Sequence, residues 1–113
     1  MPLAADDLPA IRTAFREAAN MTQAELRRWL GKDESRQVGW VRAGETESVG
    51  YRSGCRILEI RGKRQAELDD DDYAHMRRVI GYVRRHLAQG GPAEGVETSR
   101  WRYSLMNWGH DPL

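Results

Sequence analysis

The residues best suited to chemistry are two pairs of arginines, Arg77 with Arg84 and Arg78 with Arg85, each pair seven residues apart. No acidic residue lies within 73–89, so the local charge is positive. Seven residues make about two helical turns, so both pairs should follow one solvent-facing strip of a helix. Cations repeated along a rod suit contacts to successive phosphates, and this spacing predicts a nucleic-acid-binding helix face.

The same arginines also fit an ordinary solvated helix face. In that interpretation each guanidinium pairs with a nearby carboxylate, from Glu59, Glu67 or the acidic run at 69–72. The chain carries 18 basic and 17 acidic residues, and its net charge of +1 excludes a strongly polycationic protein. Sixteen of the basic residues are arginine, a bias that either a GC-rich genome or phosphate recognition by guanidinium groups would produce.

Residues typical of catalytic or metal sites are few and poorly spaced. The histidines are His75, His86 and His110, and the only thiol is that of Cys55. None of them forms the H-x-x-x-H or C-x-x-C pattern of a zinc site. The acids at 69–72 are explained as the cap and first turn of a helix. Since no nucleophile-elbow or phosphate-binding glycine motif is present, we expect no metal, no cofactor and no enzymatic activity.

Hydrophobic spacing and capping residues predict a mainly α-helical domain of four to five helices. The clearest boundary is the capping box of Thr22 and Glu25. The longest helix ends at the Gly-Gly-Pro sequence 90–92. The predicted helices span 6–20, 22–30, 54–61, 70–89 and 99–108. The first is predicted to be capped by Asp6 or Asp7, and the last by Thr98.

The helical periodicity fades between 32 and 53, where glycines interrupt the pattern. Their density predicts an irregular loop, with a short hairpin turning at 43–46 as the alternative. Trp40 and Tyr51 stand in two similar Val-Gly-aromatic triplets in this segment. The loop at 38–51 therefore supports a second hypothesis, a protein–protein adaptor or stress-associated accessory module that contacts its partner through these two aromatic residues.

The C-terminal segment concentrates large apolar side chains within 101–108. Such a segment is too apolar to remain in water, so we expect it to dock onto the body of the protein. Stacking of nucleic-acid bases on Trp101 and Trp108 is the alternative function for this segment.

A family resemblance rests on three segments and one motif of the chain. The segments are 20–30, 47–57 and 72–89, and the motif is Trp-Arg-Tyr-Ser-Leu-Met-Asn-Trp-Gly-His-Asp-Pro at 101–112. They resemble a small uncharacterised family of bacteria and fungi, catalogued as a domain of unknown function. Members of that family are often labelled as DNA-binding proteins, so the resemblance implies DNA rather than RNA as the ligand. It implies no catalytic residue, because the family has no assigned active site.

The length of 113 residues predicts one domain, covering 1–113. No apolar run approaches the roughly 20 residues of a membrane helix, and a single cysteine suggests a reducing, cytoplasmic setting. We therefore predict a small cytoplasmic DNA-binding protein that makes no membrane contact. The predicted contacts are the arginines of the long helix and two arginines that precede it: Arg77, Arg78, Arg84, Arg85, Arg52 and Arg56.

Overall fold

The computed structural model describes residues 7–113, and within them the chain is mainly helical, as predicted. The helices are α1 (Leu8–Ala18), α2 (Gln23–Leu30), α3 (Asp33–Gln37), α4 (Val49–Arg61), α5 (Asp70–Gln89) and α6 (Arg100–Asn107). Single 3-10 turns at Gln65–Glu67 and Val96–Thr98 precede α5 and α6. The predicted cap Asp6 lies outside the described residues. None of the helices in 7–113 combines the length and apolar composition needed to cross a bilayer.

Local capping groups define the N-terminal ends of the best-predicted helices. The capping box before α2 is confirmed: Thr22 Oγ1 accepts from the Glu25 amide at 3.1 Å, and Glu25 Oε1 accepts from the Thr22 amide at 2.8 Å. Asp69 and Asp72 form the same reciprocal pair before α5. Each box satisfies backbone N–H groups that the first helical turn leaves unpaired.

The cap of α6 differs from the prediction. Ser99, not Thr98, stands at the N-cap, and its Oγ accepts from the Arg102 amide at 3.1 Å. Thr98 belongs to the preceding 3-10 turn, so its backbone does not have the extended conformation of a capping residue.

The start of α4 also differs from the prediction, which placed it at residue 54. The helix begins at Val49, where Ser48 Oγ accepts from the Tyr51 amide at 3.0 Å. Gly50 and Gly54 are helical and buried, one turn apart. They permit close approach of α4 to its neighbours, because a Cβ at Gly54 would lie only 2.7 Å from the Asn107 carbonyl oxygen. Glycines that suggested a loop are therefore packing positions inside a helix.

The irregular segment is consequently shorter than predicted. It covers 38–48, since 33–37 form α3 and Tyr51 lies in the first turn of α4. One antiparallel bridge joins Val41 to Ser48, and the Val49 amide donates to the Trp40 carbonyl at 2.9 Å. Gly39 and Gly44 take positive φ angles of 95° and 82°, which glycine adopts readily because it lacks a Cβ. The segment is a closed loop rather than a hairpin with paired strands.

One hydrophobic cluster unites the helices. α1 packs along α5, while α6 contacts α2, α3, α4 and α5. Leu105 and Trp108 are buried, at 0% and 5% exposure, so the C-terminal segment docks onto the body as expected. Gly109 then turns the chain with φ 79°, and its carbonyl accepts from the Met21 amide at 3.0 Å. The apolar tail is thus part of the core.

Asn107 is a buried polar residue at the point where three helices meet. Its Oδ1 accepts from Trp29 Nε1 at 2.8 Å and from Ser35 Oγ at 2.5 Å, and its Nδ2 donates to the Ser35 carbonyl at 2.9 Å. The side chain is 1% exposed. Since buried polar groups are costly without partners, these bonds specify how α2, α3 and α6 meet.

Candidate nucleic-acid interface

The exposed face of α5 carries the four arginines on which the functional prediction rests. All four side chains are exposed. At 100° per residue they form two rows about 100° apart around the helix axis, rather than the single strip that was predicted. These α5 arginines are Arg77 and Arg84 in one row and Arg78 and Arg85 in the other. Small residues lie between the rows: Ala74, Gly81 and Ala88.

None of the α5 arginines forms an ion pair within 4.0 Å of any carboxylate in residues 7–113. Three candidate acidic partners are engaged elsewhere. Glu67 pairs with Arg64 at 3.4 Å, and Glu59 pairs with Arg56 at 3.2 Å. Asp72 faces the opposite side of the helix and is fully buried. The four guanidinium groups are therefore available to an external anion.

Arg56 serves a structural ion pair. Its Nη2 lies 2.7 Å from Asp72 Oδ1, and Lys63 Nζ lies 2.7 Å from Asp72 Oδ2. Burial alone would raise the pKa of Asp72. Three interactions outweigh the effect of burial and lower the pKa of Asp72. They are the hydrogen bond from Lys63, the hydrogen bond from the Asp69 amide and the positive charge of Arg56. The carboxylate consequently stays ionised and holds α4 against the start of α5.

Arg52 is also paired, but at the surface. Its Nη1 donates to Glu45 Oε2 at 2.7 Å, and this bond raises the pKa of Arg52. The Arg52 side chain remains 55% exposed. An exposed pair of this kind is weak, because water competes with it and the side chains lose conformational freedom. Arg52 can therefore exchange Glu45 for another anion at small cost, whereas Arg56 cannot leave a buried carboxylate so easily.

A cleft of about 470 Å³ brings together predicted residues from α4 and α5. Arg52, Arg56 and Arg78 all line it, and Arg42 from the 38–48 loop adds a fourth guanidinium that sequence analysis missed. No helical spacing relates Arg42 to the others, so only the folded loop reveals this placement. Glu45, Glu47 and Glu59 also line the cleft, which makes its charge mixed. The α5 face is thus the more positive of the two surfaces.

His75 stands in the wall of the cleft. Its Nε2 lies 3.0 Å from Ser53 Oγ, within hydrogen-bonding distance. Burial lowers the pKa of His75 to about 4, and the positive charges of Arg78 and Arg56 add to the effect. The imidazole is therefore neutral near pH 7. No carboxylate orients its other nitrogen in residues 7–113, so the pair lacks the third member of a catalytic triad.

The low pKa of His75 predicts a pH dependence of stability. Between about pH 6.5 and 4 the unfolded chain binds a proton at this residue that the folded chain does not. Stability should therefore fall as the pH is lowered through that window. His75→Gln should reduce this loss of stability at low pH. Part of the loss that remains comes from His86, whose pKa is also lowered by burial. Urea denaturation at several pH values measures the free energy of unfolding of both proteins. The same pH dependence for the variant and the unmodified protein would contradict the prediction.

Five nearly parallel aromatic rings form a stack along α5. Ring centroids are 6.2 Å apart for His75–Trp108, 4.2 Å for Trp108–Tyr82, 5.2 Å for Tyr82–His86 and 6.1 Å for His86–Trp101. Trp101 Nε1 also donates to the His86 carbonyl at 3.0 Å. Since Trp108 is buried within this stack, stacking of a nucleic-acid base on it is not possible in this conformation.

The remaining candidate residues do not converge. His110 Nδ1 lies 2.7 Å from the Ala18 carbonyl and ties the tail to α1. Burial raises the pKa of the Cys55 thiol, which makes it a poor nucleophile near pH 7. Across residues 7–113, no three His, Cys, Asp or Glu side chains group as metal ligands would.

The model of a protein family described as "Protein of unknown function (DUF3140)" matches residues 14–106 of the chain. The chain belongs to this family. The predicted resemblance to an uncharacterised family is thereby confirmed. The DUF3140 match includes all four α5 arginines, the cleft residues Arg52 and Arg56, and His75, and it ends before Asn107 and Trp108. No curated protein and no solved structure is detectably similar to the chain.

Proposed function

We propose that this protein is a small, cytoplasmic, non-enzymatic nucleic-acid-binding protein that prefers DNA and holds the phosphate backbone with α5. The observation that carries the proposal is the presence of four exposed α5 arginines without a carboxylate partner in residues 7–113. Unpaired guanidinium groups lose no internal ion pair when they contact phosphate.

The geometry of α5 favours phosphate contacts over base reading. Within each row the two arginines are about 10.5 Å apart along the helix axis, so one helix can reach several phosphates. Ala74, Gly81 and Ala88, the positions between the rows, have no side-chain groups that could form the hydrogen bonds that distinguish bases. We therefore propose binding with little sequence preference. Arg52, by exchange of Glu45, is a secondary contact in the adjoining cleft, whereas Arg56 stays paired with the buried Asp72.

Binding to duplex DNA should depend strongly on salt. Four phosphate contacts give a log–log slope of about −3.6 between affinity and salt concentration. Replacing Arg78 and Arg85 by alanine, or Arg77 and Arg84, should weaken binding and flatten the slope by about 2. The melting temperature should change little, because the α5 arginines make no ion pair within 7–113. Fluorescence anisotropy over a salt series measures the slope.

The matched control is the double replacement of Arg27 and Arg28 by alanine on α2. Both are exposed, and the variant removes the same charge from a helix that packs mainly against α3, α4 and α6. It should retain the slope of the unmodified protein. The proposal is wrong if duplex DNA is not bound at low salt and high micromolar protein. It is also wrong if the control loses as much binding as the α5 variants.

A protein–protein adaptor is the second candidate, and the exposure of Trp40 favours it. This side chain is 68% exposed, beside an apolar pocket of about 240 Å³ whose lining includes Tyr82 and Trp108. Tyr51 is the weaker anchor, since it is partly buried with Arg36 5.5 Å above its ring. A purified partner that still binds the α5 variants, but does not bind Trp40→Ala, would favour the adaptor function.

A further inference from the structure

A second, separate surface of the protein concentrates basic residues. A shallow pocket of about 170 Å³ lies between α1, the end of α4, the following 3-10 turn and α5. Among residues 7–113, its charged lining consists of Arg12, Arg16, Arg61 and Lys63, with no carboxylate. This basic pocket shares no lining residue with the 470 Å³ cleft or with the α5 arginines.

Three of these four cations have no counter-charge within residues 7–113. Arg12 Nη1 donates to the Tyr73 hydroxyl at 2.8 Å, and Arg16 Nη2 to Thr13 Oγ1 at 3.4 Å, so both partners are neutral. Lys63 alone is paired, with Asp72. Within 7–113 no carboxylate lies within 4.0 Å of the other three guanidinium groups. Like charges held together in this way repel unless an anion joins them.

Arg61 has the least favourable surroundings for a charged group among the three. It is half-buried and donates to the Ala19 carbonyl, while its Nε is buried without a hydrogen-bond partner within the described residues. Burial also lowers the pKa of Arg61, as expected for a charged group that is partly removed from water. A half-buried guanidinium without an acidic partner is costly in free energy, so a counter-ion from outside would be stabilised here.

We propose that the basic pocket binds a small organic anion, a phosphate or carboxylate carried on an apolar group. Guanidinium groups are suited to the oxygen atoms of such anions, because their N–H donors form two parallel hydrogen bonds. The rest of the lining is mainly apolar, with Phe15, Ile60, Leu68 and Met76 available to the carbon part of the ligand. The volume equals that of about five or six water molecules, enough for an oxyanion and a small ring.

Titration calorimetry and thermal melting of the full chain test this with phenyl phosphate, benzoate and inorganic phosphate, at ionic strength matched with sodium chloride. Phenyl phosphate or benzoate should raise the melting temperature with concentration, since a ligand that binds only the folded state stabilises it. The better of the two should bind more tightly than inorganic phosphate, because only an organic anion uses the apolar lining.

Arg16→Gln should weaken that binding by about tenfold or more, the effect of losing one charge-assisted hydrogen bond. Arg16 is exposed, so the variant should fold, and Arg12→Gln provides a second position. The matched control is Arg64→Gln, which removes the same charge from a side chain that is 87% exposed and does not line the pocket. Binding of neither organic anion, equal binding of inorganic phosphate, or an equal loss in the control would overturn the proposal.

Discussion

Replacing Asn107 by alanine is expected to lower the free energy of unfolding by about 3–5 kcal/mol, close to the limit for a single substitution. The reason is that the variant leaves the indole N–H of Trp29 and the carbonyl of Ser35 buried without partners. Each such group costs about 1–3 kcal/mol. The empty volume left by the amide adds a further cavity cost. The contacts between α6 and both α2 and α3 would be weakened together.

Urea denaturation followed by circular dichroism measures this loss. The matched control is Asn20→Ala, since Asn20 also exchanges two hydrogen bonds, with Asp111 at 3.0 and 2.8 Å, but is exposed. Water can replace the bonds of Asn20, so we expect a cost of about 1 kcal/mol there. A similar, small cost for both variants would show that the Asn107 network does not stabilise the fold.

Replacing Gly54 by alanine should also destabilise the protein, by about 2 kcal/mol or more. A Cβ there would lie 2.7 Å from both the Asn107 carbonyl oxygen and Leu30 Cδ2. The first is backbone and cannot move without shifting α6. Alanine favours a helix over glycine by about 1 kcal/mol, so a net loss requires that the steric cost exceed this gain. The experiment therefore measures how closely α4 and α6 are packed.

Gly62→Ala is the control for this substitution. Gly62 ends α4 with a right-handed φ of −78°, and a Cβ would meet only ordinary contacts at 3.5 Å. We expect no loss of stability there, or a gain of up to about 1 kcal/mol from the less flexible unfolded chain. Equal tolerance of alanine at both positions would mean that α4 can move away from α6 at little cost.

Helix boundaries that depend on local chemistry could be predicted from the sequence. The capping box of Thr22 and Glu25 and the exact span of α5 need only residues within one turn of each boundary. The start of α4 could not, because the same glycines suit a loop or a close helix contact. Which of the two applies at Gly50 and Gly54 depends on the partner, α6, more than 45 residues further along the chain.

The candidate site divides in the same way. Exposure of the α5 arginines follows from the spacing of apolar residues along one helix, so the sequence by itself determined it. Their lack of acidic partners within residues 7–113 was decided by the tertiary structure, which buries Asp72 between Arg56 and Lys63.

The basic pocket and the Asn107 network were likewise decided only by folding. Arg12 and Arg61 lie 49 positions apart in the chain, and Asn107 lies 72 positions from Ser35. The physical reason is the range of the interactions. Caps and periodicity act within a few residues, whereas charge pairing, burial and close packing join groups whose separation along the chain carries no pattern. The sequence by itself thus determined most of the helices and the exposure of the α5 arginines, and the tertiary structure decided where α4 begins and which charges have no acidic partner within residues 7–113.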